Sequence, residues 1–188
     1  PDQLNSDMSA IAGRKAIEDA GLTPEDIDLI ILATCTPDRP IPATSVVVQN
    51  KIGAVNAACF DINAACSGFI FGLICANAMI VAEQAKHVLL IGTELLSRVI
   101  DMTDRTTCVL FGDGAGALVL EAQDVVEDGP GILATRLHAD GAHNQLLYVD
   151  GGPATTGSVG HLRMAGNQVF RHAVVNIAEA VTAAVANA

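Results

Sequence analysis

The chain is poor in aromatic residues and in positive charge. Its 188 residues include five phenylalanines, one tyrosine and no tryptophan, and only ten lysines and arginines against 21 aspartates and glutamates. Nucleic-acid binding is driven by counterion release and needs a clustered basic surface. The formal net charge of -11 therefore argues against a nucleic-acid partner. The scarcity of large rings means that a core must be built from closely packed aliphatic side chains, which suits layered α/β architecture.

The chain also lacks CxxC pairs and a basic-then-apolar leader. Its five cysteines lie in apolar runs. An odd number of unpaired cysteines is typical of a reducing compartment, so we expect a cytoplasmic location and no metal site. Residues 1–4 lead directly into an amphipathic pattern without a signal peptide. The chain start is abrupt, and no helix-ending glycine closes the last helix, so we expect a piece of a larger protein.

One uncharged run, residues 64–82, is long enough to span a bilayer. Cys66, Ser67 and Asn77 interrupt the run, and no aromatic or basic belt flanks it. Because strand-like segments lie close on both sides, we favour a helix buried on all sides of an α/β core over a membrane span.

Hydrophobic periodicity predicts alternating helices and strands over the first two thirds of the chain. A helix at 7–20, capped by Ser6 and stopped by Gly21, precedes a buried strand at 28–34. The next elements are a helix near 43–52, a strand at 59–63, a helix from about 66 to 85 and a strand that begins at His87. Short connections between such elements imply right-handed βαβ units and a mainly parallel sheet.

The pattern changes after residue 114. GAGALVLEA and GILATRLHADG read as two strands, and the acidic link around residues 124–130 favours an antiparallel pair. The Gly-, Ser- and Thr-rich segment 150–160 predicts a flexible connection, and a last helix begins near Gly166 or Asn167. Gly112, Gly114 and Gly116 mimic a dinucleotide fingerprint, but a strand follows them where that fingerprint needs a helix.

Cys66 lies where the strand CFDIN turns into a helix that starts at Ser67 and Gly68. Unpaired N–H groups and the dipole at a helix N-terminus stabilise a thiolate, and Gly68 would let a substrate approach closely. The sequence therefore predicts a nucleophile elbow with Cys66 as acyl acceptor. The alternative, that Cys66 is one more small core residue, fits Cys59 and Cys75 better because they lie within elements.

DINAACSGF at 61–69 and DRTTCVLFGDGAGALVLEA at 104–122 closely resemble the ketoacyl-acyl-carrier-protein synthase III family. Four more segments occur in that family's order: TCTPDRPIPA, GTELLSR at 92–98, LHADG at 137–141 and MAGNQVF at 164–170. The resemblance implies a thiolase-like α/β fold, mainly parallel sheet with helices on both faces, in which two similar halves pack together. It implies one half at 1–122 without its first strand, a hairpin and flexible connection at 123–160, and the start of the second half at 161–188.

The resemblance also implies a reaction. An acyl group would pass from acyl-CoA to Cys66, and malonyl-acyl carrier protein would then lose carbon dioxide and attack the thioester. No cofactor is expected, because acyl-CoA is a substrate, and the assembly would be a homodimer. The family's catalytic His and Asn would lie beyond these residues; none of the five histidines here has a recognisable partner pattern.

The remaining site residues are likewise implied by the resemblance. Arg105 would lie at the mouth of the CoA pocket, although a surface ion pair with Asp101 or Asp104 is the plainer alternative. Ile41 would shape the partner subunit's pocket. The residues expected along the acyl and pantetheine tunnel are Leu110, Phe111, Met164, Gly166, Asn167 and Phe170.

Two other functions remain open at this point. Hydroxymethylglutaryl-CoA synthases and polyketide starter enzymes share the fold, although LHADG and MAGNQVF favour synthase III. A non-catalytic fragment or subunit that pairs with a separate carboxyl-terminal half would also fit a chain without the His and Asn. Such a half would expose a large apolar surface and should aggregate or dimerise.

Overall fold

The computed structural model describes residues 2–124, 129 and 131–188, and these form two compact units. One unit comprises residues 1–95 and 113–130, and the other comprises residues 96–112 and 131–188. The division into halves at 1–122, 123–160 and 161–188 stays a prediction.

A four-stranded sheet forms the centre of the first unit. Its strands are β1 (Leu29–Ala33), β2 (Ala58–Ile62), β3 (His87–Leu95) and β4 (Asp113–Glu121), in the spatial order β2-β1-β3-β4. β1 pairs in parallel with both β2 and β3, whereas β4 runs antiparallel to β3. The predicted mainly parallel sheet is confirmed.

Helices cover both faces of this sheet. They are α1 (Asn5–Asp19), α2 (Thr44–Ile52) and α3 (Gly68–Val81). Successive side chains of β1 point to opposite faces. Ile30 and Leu32 accordingly pack in the core cluster with α1 and α2, while Leu29 and Ile31 pack in the cluster with α3. All five residues of β1 are buried, as a strand covered on both faces requires.

Two details of the helices differ from the sequence prediction. Ser6 lies inside α1; the N-cap is Leu4, whose N–H donates to Asp7 Oδ2 at 2.9 Å, so the acidic side chain satisfies the helix end. The predicted burial of the apolar run on all sides is wrong, because in α3 only Gly68, Gly72 and Ala76 are buried. Residues at this spacing form one fully buried stripe, and partly buried neighbours such as Phe69 and Leu73 pack beside it against the same cluster.

The second unit holds β5 (Leu147–Val149), antiparallel to β6 (Leu162–Met164), and α4 (Gly166–Ala186). The predicted strand GILATRLHADG is wrong: residues 132–140 form no regular element. A strand needs a partner edge, and β4 pairs with β3 in the described part of the chain. The link at residues 125–128 and 130 lies outside the described residues.

The two apolar helices differ in length. α4 has 21 residues and, by length and composition only, could cross a membrane; none of its residues is buried. The uncharged run at residues 64–82, which is long enough to span a bilayer, forms a shorter apolar helix at residues 65–81.

Candidate active site

Cys66 lies in a tight connection between β2 and α3. Residues Ala65–Ser67 form a single 3-10 turn, and α3 begins at Gly68. Ala65 has a φ of 46°, a left-handed conformation that costs a residue with a Cβ about 1–2 kcal/mol. Cys66 itself is exposed. The predicted strand-to-helix elbow is confirmed as a backbone feature, and its strained residue directly precedes the cysteine.

Gly68 has a different use from the one that the sequence suggested. It is buried, and a Cβ built on it would lie 3.2 Å from Ala33 Cβ. Gly72, one turn later, would place a Cβ 2.5 Å from Leu90 Cδ1. The two glycines therefore let α3 approach the sheet closely, and this contact fixes where the helix starts relative to β1.

A buried polar cluster, which we call the Asn5 network, ties α1 to the carboxyl ends of β1 and β3. The Asn5 amide donates to Thr34 Oγ1 at 2.9 Å, Thr36 O at 3.0 Å and Thr93 O at 3.1 Å. Ser9 Oγ completes the network by donating to Asn5 Oδ1 at 3.1 Å and contacting Thr93 Oγ1 at 2.8 Å. Buried polar groups are stable only when paired in this way, so the network holds the loop after β1 in one position.

Glu94, near the end of β3, binds the same loop from the other side. Its carboxylate accepts hydrogen bonds from the Cys35 N–H at 2.8 Å and from Thr36 Oγ1 at 2.6 Å. Thr34 Oγ1 makes a longer contact of 3.4 Å. Ionised acceptors form the stronger hydrogen bonds, so Glu94 fixes the backbone at Cys35.

Cys35 stands close to the elbow. Cys35 is exposed as a residue, but partial desolvation of its sulfur is the first cause that raises the pKa of its thiol to about 12, followed by the interactions with Glu94 and the charge of Cys66. Burial, together with Asp61, also raises the pKa of Cys59 to about 11. Neither thiol is ionised at neutral pH, which leaves Cys66 as the better candidate for a nucleophile among the three.

Asp61 orients the strand that leads to Cys66. Its two carboxylate oxygens accept from the N–H groups of Thr44 at 2.7 Å and Ser45 at 2.8 Å, at the N-terminus of α2. Sequence reasoning missed Asp61, Asn5 and Glu94. One signal was present: Glu94 follows a buried strand, and polar residues after parallel strands meet at the same edge of a sheet.

The residues predicted to bind CoA fall mostly in the second unit. Arg105 is exposed, and the plainer alternative, an ion pair with Asp101 or Asp104, is not formed in the described residues. Asp101 Oδ2 lies 3.8 Å from Arg163 Nη1, and Asp104 accepts from Thr106 at 2.6 Å. The pKa of Asp104 is lowered chiefly by its bonds to Thr106, with a smaller effect of Arg163.

The other predicted contacts are placed as follows. Met164 ends β6, Gly166 begins α4, and Asn167 and Phe170 are exposed on the first turns of that helix. Leu110 is exposed and Phe111 is half-buried. Ile41, in the first unit, is 84% exposed before a cis peptide bond to Pro42. Their substrate roles stay predictions.

Three of the five histidines contact groups other than the Cys66 turn. His87 Nε2 lies 3.3 Å from Glu121 Oε1, and its Nδ1 lies 3.0 Å from Asp26 O, at the sheet edge opposite Cys66. The rings of His143 and His172 lie 4.0 Å apart in the second unit. No group of three or more His, Cys, Asp and Glu side chains that could hold a metal occurs in residues 2–124, 129 and 131–188.

Comparison with known proteins finds relatives with similar sequences. The family model for 3-oxoacyl-[acyl-carrier-protein (ACP)] synthase III matches residues 60–141, which include the Cys66 turn and Arg105. A β-ketoacyl-[acyl-carrier-protein] synthase III from Erythrobacter litoralis is 57% identical over 178 residues, covering 95% of this chain and 56% of that protein. The chain thus spans about half the length of the curated relatives it matches.

Solved structures agree on the fold. The crystal structure of 3-oxoacyl-[acyl-carrier-protein] synthase III from Aquifex aeolicus aligns over 100% of this chain and 57% of that one, with a TM-score of 0.90 and 42% identity. The priming β-ketosynthase from the R1128 polyketide pathway aligns over 96% of this chain and 54% of its own, with a TM-score of 0.85 and 38% identity. The fold is the thiolase-like α/β fold, and over most of its length the chain is similar to part of the β-ketoacyl-[acyl-carrier-protein] synthase III proteins.

Proposed function

We propose that the protein is a β-ketoacyl-acyl-carrier-protein synthase III-type acyltransferase of fatty-acid synthesis, and that Cys66 is its nucleophile. The observation that carries the proposal is the exposed cysteine held between the strained Ala65 and the start of α3. The relatives that match at 57% and 58% identity are named for this activity, which supports it.

The first step would be transacylation at Cys66. The Cys66 thiolate attacks the thioester carbonyl of acyl-CoA, the carbonyl carbon–sulfur bond to CoA breaks, and CoA leaves as its thiolate. The start of α3 supports this step, since the positive end of the helix dipole favours negative charge at the sulfur. Arg105 would bind phosphate or stack on adenine of the incoming CoA.

The second step would be a decarboxylative condensation with malonyl-acyl carrier protein. Loss of carbon dioxide leaves a carbanion that attacks the acyl thioester and frees the Cys66 thiolate. We assign this step to the whole protein, as a cytoplasmic homodimer without a cofactor. Acyl-CoA and malonyl-acyl carrier protein would be its substrates, and Ile41 would contact the partner subunit's pocket.

Intact-mass spectrometry after incubation with acetyl-CoA and longer acyl-CoAs tests the role of Cys66. We expect one acyl adduct per chain, lost in Cys66→Ser and retained in Cys59→Ser. Cys59 is a matched control because its Sγ lies 3.6 Å from Ala57 O, a hydrogen bond that a serine can reproduce. An adduct that persists in Cys66→Ser would refute the assignment, and absence of any adduct would show that these 188 residues do not transacylate alone.

A second candidate is that this chain is a catalytically incomplete subunit. Its helix α4 favours this alternative, because no residue of the helix is buried and several large apolar side chains are exposed: Phe170, Val174, Val175, Ile177, Val181 and Val185. Exposed apolar surface of this kind normally meets a partner. Light scattering is the test: aggregation beyond a homodimer supports the candidate, a homodimer fits both proposals, and a monodisperse monomer counts strongly against the candidate.

A further inference from the structure

Two cysteines from different strands meet at one edge of the sheet. Because β1 and β2 are parallel, their carboxyl ends lie together, and Thr34 N–H donates to Ile62 O at 3.0 Å across them. Cys35 comes two residues after Ala33, the last residue of β1, and Cys66 comes two residues before Gly68.

The contact between Ala33 and Gly68 brings together the two segments that carry these cysteines. A Cβ built on Gly68 would lie 3.2 Å from Ala33 Cβ, so the chain after β2 folds back onto the end of β1. Cys35 and Cys66 flank this contact from its two sides, and both are exposed. The charge of Cys66 is one of the causes that raise the pKa of Cys35, which independently indicates that the two sulfurs lie near each other.

The surroundings of Cys35 distinguish it from the other cysteines of the first unit. Glu94 accepts the Cys35 N–H at 2.8 Å, and its charge contributes to the raised pKa of the thiol. Cys59 packs against the core cluster formed with α1 and α2, and Cys75 packs against the cluster formed with α3. Cys35 alone combines exposure, a carboxylate partner and an electrostatic interaction with Cys66.

We propose that Cys35 is a resolving thiol for Cys66, so that oxidation by a peroxide closes a reversible Cys35–Cys66 disulfide that blocks the nucleophile. This inference goes beyond the acyltransferase function, and it does not require transacylation to occur. In a reducing compartment such disulfides are typically transient and redox-sensing.

The chemistry balances with hydrogen peroxide as the only oxidant. The Cys66 thiolate attacks one peroxide oxygen, the O–O bond breaks, and Cys66 sulfenic acid and hydroxide form. The Cys35 sulfur then attacks the sulfenic sulfur, the S–S bond forms and the S–O bond breaks. Hydroxide leaves and takes up the Cys35 proton, which Glu94 can accept and pass on, so two thiols and one peroxide give a disulfide and two waters.

The raised pKa of Cys35 separates the two roles before oxidation, and it means that Cys35 must give up its proton to Glu94 as its sulfur attacks. Burial and the Glu94 charge keep Cys35 protonated at neutral pH, so it neither competes with Cys66 for an acyl group nor reacts first with peroxide. It attacks only after Cys66 has become an electrophile beside it. Without a resolving thiol, the sulfenic acid would proceed to the sulfinic acid, which is irreversible in most proteins.

Peroxide treatment followed by mass spectrometry tests the proposal on the chain as it exists. Purified chain is treated with hydrogen peroxide, its remaining thiols are blocked with N-ethylmaleimide under denaturing conditions, and cross-linked peptides are sequenced. We expect loss of two hydrogens per chain, a Cys35–Cys66 cross-link, and recovery of both thiols with dithiothreitol. Cys59→Ser should behave as wild type.

Cys35→Ser should lose the cross-link entirely, and its Cys66 should accumulate sulfenic acid, trapped by dimedone, and then sulfinic acid. Circular dichroism checks that this variant is folded, and the wild-type cross-link map does not depend on it. The proposal is overturned if wild-type Cys66 over-oxidises as fast as in Cys35→Ser, or if Cys66 pairs with another cysteine. Because no acyl-CoA is present, failure here is distinct from failure of the acyl-adduct experiment.

Discussion

The two edges of the four-stranded sheet use polar residues in different ways. At the carboxyl edge of β1 and β3, the Asn5 network is buried, and Glu94 binds the loop that carries Cys35. At the amino edge, Asp28 Oδ2 accepts the N–H of His87 at 2.9 Å, and the exposed Asn56 donates to Glu25 O at 2.8 Å.

This difference indicates which edge is used for chemistry. Ligands of open α/β sheets bind beyond the carboxyl ends of the strands. Here that edge holds the strained Ala65 and two exposed cysteines, whereas the amino-edge contacts only join strand ends and turns. The buried hydrogen bonds at the carboxyl edge serve to hold one loop and one turn in fixed positions.

The largest expected effect comes from removing the centre of the Asn5 network. Asn5→Ala deletes the amide contacts to Thr34, Thr36 and Thr93 and leaves the buried oxygens of Thr34 and Thr93 without this partner. Since a buried polar group without a partner costs about 1–3 kcal/mol, we expect the free energy of unfolding to fall by about 2–4 kcal/mol. Urea denaturation measures it.

Asn56→Ala is the matched control at the amino edge. It removes one exposed hydrogen bond, and we expect a loss within about 0.5 kcal/mol. Equal losses for the two asparagines would show that the edges do not differ in the way the hydrogen bonds indicate.

The order of elements around Cys66 could be predicted from the sequence, because each depends on local pattern. Periodicity located α1, α2, α3 and the strands β1 to β4 within a few residues. The Asn5 network could not be predicted, because Asn5 and Thr93 lie 88 positions apart in the sequence and meet only when the sheet is assembled. An asparagine near the start of a helix gives no local sign of such burial.

The burial of the apolar helices α3 and α4 could not be predicted from the sequence either. Both are apolar, yet α3 buries a stripe of small residues and α4 buries none. Composition does not distinguish them, because burial depends on which surface is nearby. The same reason explains the segment 132–140, whose strand-like pattern has no partner edge in the described residues.

The next largest effect concerns α3, which leaves the carboxyl edge and crosses the sheet. A Cβ on Gly72 would lie 2.5 Å from Cδ1 of the fully buried Leu90. Gly72→Val should therefore overpack the interface and lower the free energy of unfolding by about 1–3 kcal/mol. Ala78→Val, on an exposed position of the same helix, controls for β-branching and should cost less than about 1 kcal/mol. Equal effects in thermal melts would mean that α3 does not pack closely at Gly72.

The smallest expected effect is on the free energy of unfolding at alkaline pH. It compares the replacement of Cys35 at the carboxyl edge with the replacement of Cys59 in β2. The pKa of Cys35 is raised from 9.0 to about 12 and that of Cys59 to about 11. The folded chain keeps these protons where the unfolded chain loses them. Their contribution to stability is therefore full below pH 9.0 and is lost as the pH rises through the folded pKa values. Cys35→Ser should make the alkaline decline less steep up to about pH 12, and Cys59→Ser only up to about pH 11.

Alkylation rates give the same comparison a second readout. Iodoacetamide should label Cys66 faster than the other four cysteines near neutral pH, because it is exposed at a helix start. Cys35 is also exposed, so accessibility alone would let it react equally fast. If Cys35 labels slowly at neutral pH and faster as the pH rises, Glu94 and burial keep it protonated beside the nucleophile. Equal labelling of Cys35 and Cys66 at neutral pH would remove the distinction between nucleophile and resolving thiol at the carboxyl edge.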